Sequence, residues 1–160
     1  MVWLVPTIVN FVNEIIGTNP MSTQQNKEIA RKFCDQTWGK GNLAIVDELA
    51  SRDFKVSYPI LPEVLDREGF KVWVADTHTG LPDLQFTITD AIAEGEKVAI
   101  IWTARGTHKG EIKFLNLPPT FKSASWGGIS IYRIVEGKVV EEQGQEDALG
   151  VFQQLGLIPT

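Results

Sequence analysis

Cysteine, histidine and clustered positive charge are nearly missing from this chain, and each shortage closes off a class of function. A single cysteine, Cys34, stands among 160 residues, so no disulfide can form within the chain. That usage agrees with a reducing, cytoplasmic setting. Cys34 follows Phe33 in a helical pattern and reads as a small buried apolar residue rather than a nucleophile. The two histidines, His78 and His108, are far from Cys34 in sequence and show no ligand spacing, so no metal is expected. Lys and Arg total 15 against 20 Asp and Glu, a formal net charge of −5, with no basic cluster to neutralise phosphates. Nucleic acid and anionic membrane surfaces are therefore not expected partners. No glycine-rich phosphate-cradling loop is present; Gly127-Gly128 reads only as a flexible point in a strand. Long apolar runs are missing too. The most apolar stretch, Met1 to Gly17, is interrupted by Pro6, Asn10, Asn13 and Glu14, and carries no Lys or Arg. Neither a membrane span nor a secretory signal fits it.

What remains is enough for one core. The hydrophobic fraction is 43% and the charged fraction 22%, which suits a single folded domain of this length. Residues 1–20 read as an appendage. Ile8, Phe11, Val12, Ile15 and Ile16 fall at helical spacing, Gly17-Thr18-Asn19-Pro20 stops the pattern, and Met21 reads as a second start. The domain proper is placed at 21–160.

Within it, Ser22 or Thr23 caps a helix over 24–38 whose face carries Ile29, Ala30, Phe33 and Thr37. Gly39-Lys40-Gly41-Asn42 ends it, and a short helix with Leu43, Val46 and Leu49 follows. Phe54 to Tyr58 alternates like a strand, and a third helix is predicted over 67–77. From Leu84 onward the period is two: strands near 84–89, 98–108, 123–134 and 139–145, with Glu94-Gly95-Glu96-Lys97 and Glu136-Gly137-Lys138 as turns. Residues 147–155 form a short apolar, helical tail. Helices followed by a meander make an α+β arrangement. A bent, mostly antiparallel sheet with three N-terminal helices over its concave face would enclose a pocket.

Strand parity gives the first candidates. Val98, Ile100, Trp102 and Ala104 share one face with His108, and that face is too apolar for water. His108 is a candidate acid or base near neutrality, or a rim histidine packed on the Pro118-Pro119 loop. Trp38, Tyr58, Trp73, Trp102 and Trp126 serve as core or as flat pocket walls. Asp147 reads as the cap of the C-terminal helix or, if buried, as an acid with a raised pKa. Asp76 and His78 read as a solvated helix end. Glu141 and Glu142 read as surface charges, since adjacent strand residues face opposite ways.

The second half carries a series of segments in order: Leu81-Pro82-Asp83-Leu84, Trp102 to Gly110, Leu117-Pro118-Pro119-Thr120, Tyr132 to Glu141, and Asp147 to Gly156. This series resembles the SnoaL-like polyketide and ester cyclases of the nuclear-transport-factor-2-like superfamily, over about residues 24–158. The resemblance implies a cone-shaped α+β barrel, a homodimer, no cofactor, and an aldol-type ring closure in a small hydrophobic carbonyl compound. It supports His108 and Asp147 as candidate catalytic residues. It also places Gly144 at the position of the cyclases' acid/base aspartate and Ser130 at that of a neighbouring histidine. Neither can transfer the same proton; a bulge would bring Gln143 or Gln145 inward, and glutamine has no useful pKa. The expected pocket is thus Trp38, Tyr58, Ile100, Trp102, Trp126, Ser130 and Gln143. Three functions stay open: a cofactor-free acid/base enzyme, a binding protein for a similar ligand, and a dimerising interaction module.

Overall fold

The computed structural model describes residues 21–159; the appendage read over 1–20 lies outside the described residues. Helix α1, Thr23–Cys34, opens with a capping box: Gln25 N–H donates to Ser22 Oγ at 3.1 Å and Ser22 N–H to Gln25 Oε1 at 2.9 Å. Its buried face is Asn26, Ala30, Phe33 and Cys34, at helical spacing. A π turn over Asp35–Gly39 continues it. There Thr37 Oγ1 donates to the Phe33 carbonyl at 2.8 Å, and both Thr37 and Trp38 become buried. The short α2, Ala44–Leu49, runs directly into β1, Ala50–Ser57, so the first strand starts four residues before the Phe54 that marks it in the sequence pattern. Asp66 caps α3, Arg67–Gly80, by accepting from Gly69 N–H at 2.8 Å.

Strands β2 (Gln85–Glu94), β3 (Lys97–Thr107), β4 (Ser123–Val135) and β5 (Lys138–Glu146) form the expected meander. The sheet order is β1-β5-β4-β3-β2, with β1 parallel to β5 and every other pair antiparallel. Register shifts at Ile88/Asp90 and Arg133/Ile134 mark bulges, which bend strands and sharpen twist. A final helix, α4, Ala148–Gln154, makes four α-helices among the described residues, three of them before the meander.

The sheet's buried face carries Val98, Ile100, Trp102 and Ala104 of β3, with Tyr132 and Ile134 of β4. Against them sit Phe33, Phe54 and Phe70, with ring centroids 5.4 to 5.8 Å apart; Phe33 also meets Tyr132 edge-on at 5.9 Å. These aromatic contacts anchor the helices to the sheet. Parity holds along β3, where Arg105 is exposed while Gly106 and the following His108 are buried. Among the described residues no helix is long and apolar enough to cross a membrane.

Candidate functional site

An apolar cavity lies between the helices, the sheet and the β3–β4 connection. The π turn supplies Trp38, the segment after β1 supplies Tyr58 and Ile60, and α3 supplies Trp73 and Thr77. Phe86, Trp102, Ala104 and Trp126 come from the strands. Ile112, Leu115 and Leu117 come from the β3–β4 connection, and Val151, Phe152 and Leu155 from α4. The cavity volume is about 100 Å³. The β3–β4 connection is pinned at several points. Phe114 N–H donates to Asp76 Oδ2 at 2.8 Å, and Lys109 and Gly110 N–H both donate to the Gly80 carbonyl, at 2.9 and 3.1 Å.

One carboxyl stands in this wall: Glu146, the last residue of β5. Trp126 Nε1 donates to its Oε2 at 3.1 Å. Burial raises the Glu146 pKa, and the indole hydrogen bond opposes the rise only in part. Four residues back on the same strand, Glu142 is fully buried. This corrects the reading of Glu142 as a surface charge; only Glu141 faces outward, toward Arg133 at 3.4 Å. Burial pushes the Glu142 pKa up to about 7; the Tyr58 hydrogen bond and the nearby Trp38 and Tyr132 donors oppose the rise, and the Glu146 charge adds to it.

Glu142 belongs to a buried chain of polar groups. Tyr58 Oη lies 2.8 Å from Glu142 Oε1 and 2.6 Å from Ser130 Oγ, and Trp102 Nε1 donates to Ser130 Oγ at 2.9 Å. Tyr58 reaches this place because residue 144 is glycine. A Cβ on Gly144 would run into the Tyr58 ring and hydroxyl. Gly144→Ala is therefore expected to lower stability by about 1–3 kcal/mol, the range for overpacking a core. Denaturant unfolding measures it; an unchanged midpoint would show that the ring moves aside at no cost.

Of the residues singled out in the sequence, Trp38, Tyr58, Trp102 and Trp126 line the cavity. Ile100 is buried beneath the wall without lining it, and Ser130 is reached through Tyr58 and Trp102. Gln143 is exposed on the outer face, a correction: strand parity turns Glu142, Gly144 and Glu146 inward instead. His108 is buried but does not line the cavity. Its Nδ1 accepts from Thr120 N–H at 3.3 Å and meets Thr120 Oγ1 at 3.2 Å, and burial lowers its pKa. Asp147 is exposed and caps α4, accepting from Gly150 N–H at 2.9 Å. Asp76 holds the β3–β4 connection, and His78 Nε2 meets the Thr37 carbonyl at 3.2 Å. Among the described residues no group of three or more His, Cys, Asp or Glu side chains could hold a metal.

The family model for SnoaL-like polyketide cyclase matches residues 28–155. The chain belongs to this family. No curated protein matches this SnoaL-like chain. Among solved structures, it is similar to a protein classed as a SnoaL-like polyketide cyclase from Jannaschia sp. CCS1, with 21% identity, TM-score 0.77, and coverage of 89% of this chain and 100% of that one. A protein classed as a polyketide cyclase from Acidithiobacillus ferrooxidans shares 29% identity at TM-score 0.70, covering 86% and 99%. A protein with a ketosteroid isomerase-like fold from Catenulispora acidiphila DSM 44928 shares 20% identity at TM-score 0.65, covering 81% and 92%. The fold of this SnoaL-like domain is therefore nuclear-transport-factor-2-like.

Glu146 and Glu142 are the residues that sequence reasoning missed. A signal for them existed. Once Gly144 is set at an inward position, its neighbours two residues away on either side must face inward as well.

Proposed function

We propose that this protein binds a small hydrophobic carbonyl compound in its cavity and moves a proton next to the carbonyl, without a cofactor. The observation that carries this reading is the Glu146 carboxyl, set in an apolar wall and oriented by Trp126. As the carboxylate, Glu146 takes the proton from the carbon beside the carbonyl. The bond pair shifts into an enolate, and the proton returns to the same or another carbon. A carboxylate with a raised pKa is the better base for a weak carbon acid. The apolar walls keep water away and strengthen each polar contact inside. The names of the family and its solved relatives support a polyketide-like carbonyl ligand. Binding without turnover is the second reading, favoured by Gly144 and Ser130 standing where the resemblance places the cyclases' proton-transfer pair.

The test uses β-tetralone, an apolar bicyclic ketone, in deuterated buffer. Proton NMR should show enzyme-dependent loss of the signals beside the carbonyl in the wild type and not in Glu146→Gln. Binding of β-tetralone with no exchange above buffer would leave the second reading.

The homodimer belongs to the same proposal. Ile92, Ile129 and Ile131 are exposed on the outer face of the sheet, 61%, 45% and 40% accessible, and a second copy would cover them. Light scattering at micromolar concentration should give twice the chain mass; a monomer would overturn this.

A further inference from the structure

Counting hydrogens in the buried chain limits which way each bond can run. An indole N–H only donates, so Trp102 makes Ser130 Oγ an acceptor and leaves the Ser130 proton free to donate to Tyr58 Oη, 2.6 Å away. A phenol oxygen donates one hydrogen bond and accepts up to two. With Glu142 ionised, Tyr58 spends its one proton on Glu142 Oε1 at 2.8 Å. With Glu142 protonated, that same contact reverses: the acid donates, Tyr58 Oη accepts from both Glu142 and Ser130, and its own O–H is released. Tyr58 lines the cavity, where the oxygen of a bound ligand competes with the second lone pair of Ser130 Oγ for that O–H.

We propose that Tyr58 is the hydrogen-bond donor for the ligand's carbonyl oxygen, and that Glu142, acting through it as a positioning residue, must carry a proton for that donor to be available. This rests on the acid/base reading of the cavity and adds the second polar partner that enolate formation requires. Two further observations support a neutral Glu142. Its Oε2 has no hydrogen-bond partner although fully buried, a burden far larger for a carboxylate than for a neutral acid. The titratable groups around it are Tyr58, Tyr132 from β4, Cys34 from α1 and Glu146 on its own strand, and none is a cation. In the reaction, Glu146 takes the proton from carbon while Tyr58 donates a hydrogen bond to the oxygen that gains charge. No net proton leaves the protein over a full isomerisation.

The two carboxyls then set opposite limbs of the pH profile. Exchange rises with pH as Glu146 ionises and falls as Glu142 ionises, a bell whose apparent pKa values belong to the coupled pair. Gln at 142 places an amide N–H donor where the acid proton was. Glu142→Gln is therefore expected to keep the rate on the acid side and to lose the alkaline fall. Glu142→Leu, with no donor, lowers the rate at every pH. Tyr58→Phe keeps the ring beside Gly144 and is expected to slow exchange by about 10²–10³-fold, the loss seen for one oxyanion donor. Circular dichroism and melting would confirm that each variant is folded. Wild-type exchange in Tyr58→Phe, or an unchanged alkaline limb in Glu142→Gln, would overturn the proposal while leaving Glu146 as base. If the wild type exchanges no β-tetralone, the base reading fails, and the donor is read by binding alone. β-Naphthol, an enolate-shaped probe, should bind Tyr58→Phe at least about tenfold more weakly by tryptophan fluorescence, the scale of one lost hydrogen bond to a charged or polar partner. Naphthalene, which lacks the oxygen, should bind both alike. Equal β-naphthol affinity in the two proteins would overturn the proposal.

Discussion

Glu146→Gln is expected to lower the rate of proton exchange at the carbon beside a bound ketone by about 10²–10⁴-fold, the usual contribution of a positioned general base. Glutamine keeps the length and the acceptor for Trp126 Nε1–H, which lies 3.1 Å from Oε2 in the wild type. Packing and binding should therefore change little, so the loss falls on kcat rather than KM. Trp126→Phe gives the complementary result. It removes the indole donor that opposes the raised Glu146 pKa, so the acid limb of the profile should move to higher pH. A rate in Glu146→Gln within a few-fold of wild type would remove Glu146 from the chemistry.

The second large effect is on stability. Glu142 has a folded-state pKa of about 7 against an ordinary value of 4.5. The folded protein therefore holds this proton more tightly than the unfolded chain. Its stabilising contribution is complete below pH 4.5, is lost as pH rises toward 7, and is level beyond. The shift corresponds to about 3 kcal/mol across that window, at 1.36 kcal/mol per pH unit. Glu146 acts in the same direction, because its pKa is raised as well. Asp47 and Asp83 act oppositely: their lowered pKa values remove stability only as pH falls through the acid range below 3.8. Urea unfolding should thus give a higher midpoint at pH 5 than at pH 8 in the wild type. Glu142→Gln should flatten most of that difference. A wild-type midpoint constant from pH 5 to pH 8 would contradict a buried, titrating Glu142.

Period and punctuation carried most of the fold. Apolar alternation in β3 and the turns at Gly95 and Gly137 are local signals, and the strands form where those signals put them. The early start of β1 was hidden because Ser51, Arg52 and Asp53 precede its first large buried residue, Phe54; its pairing with β5 is a long-range contact. Within the site, aromatic walls were legible from composition and parity. Glu142 was legible only through the parity of Gly144, against the rule that a glutamate in a strand is ordinarily solvated; its partner inside is a tyrosine 84 positions earlier in the chain. Asp147 takes the helix-cap place that the sequence offered beside an acid role, and His108 is buried outside the cavity wall in contact with Thr120. A resemblance transfers the backbone more securely than the chemistry placed on it.

Gly144 and Tyr58 share one volume, and this has an evolutionary consequence. A side chain at 144 and tyrosine at 58 are costly together, so losing either one eases the gain of the other. The order of substitutions is thereby constrained, and the two positions are epistatic: their effects on stability cannot add, because each mutation is judged against the other's occupancy. Among relatives of this fold, the two positions should covary as a pair. A route from a side chain at 144 to tyrosine at 58 costs least when glycine comes at 144 first.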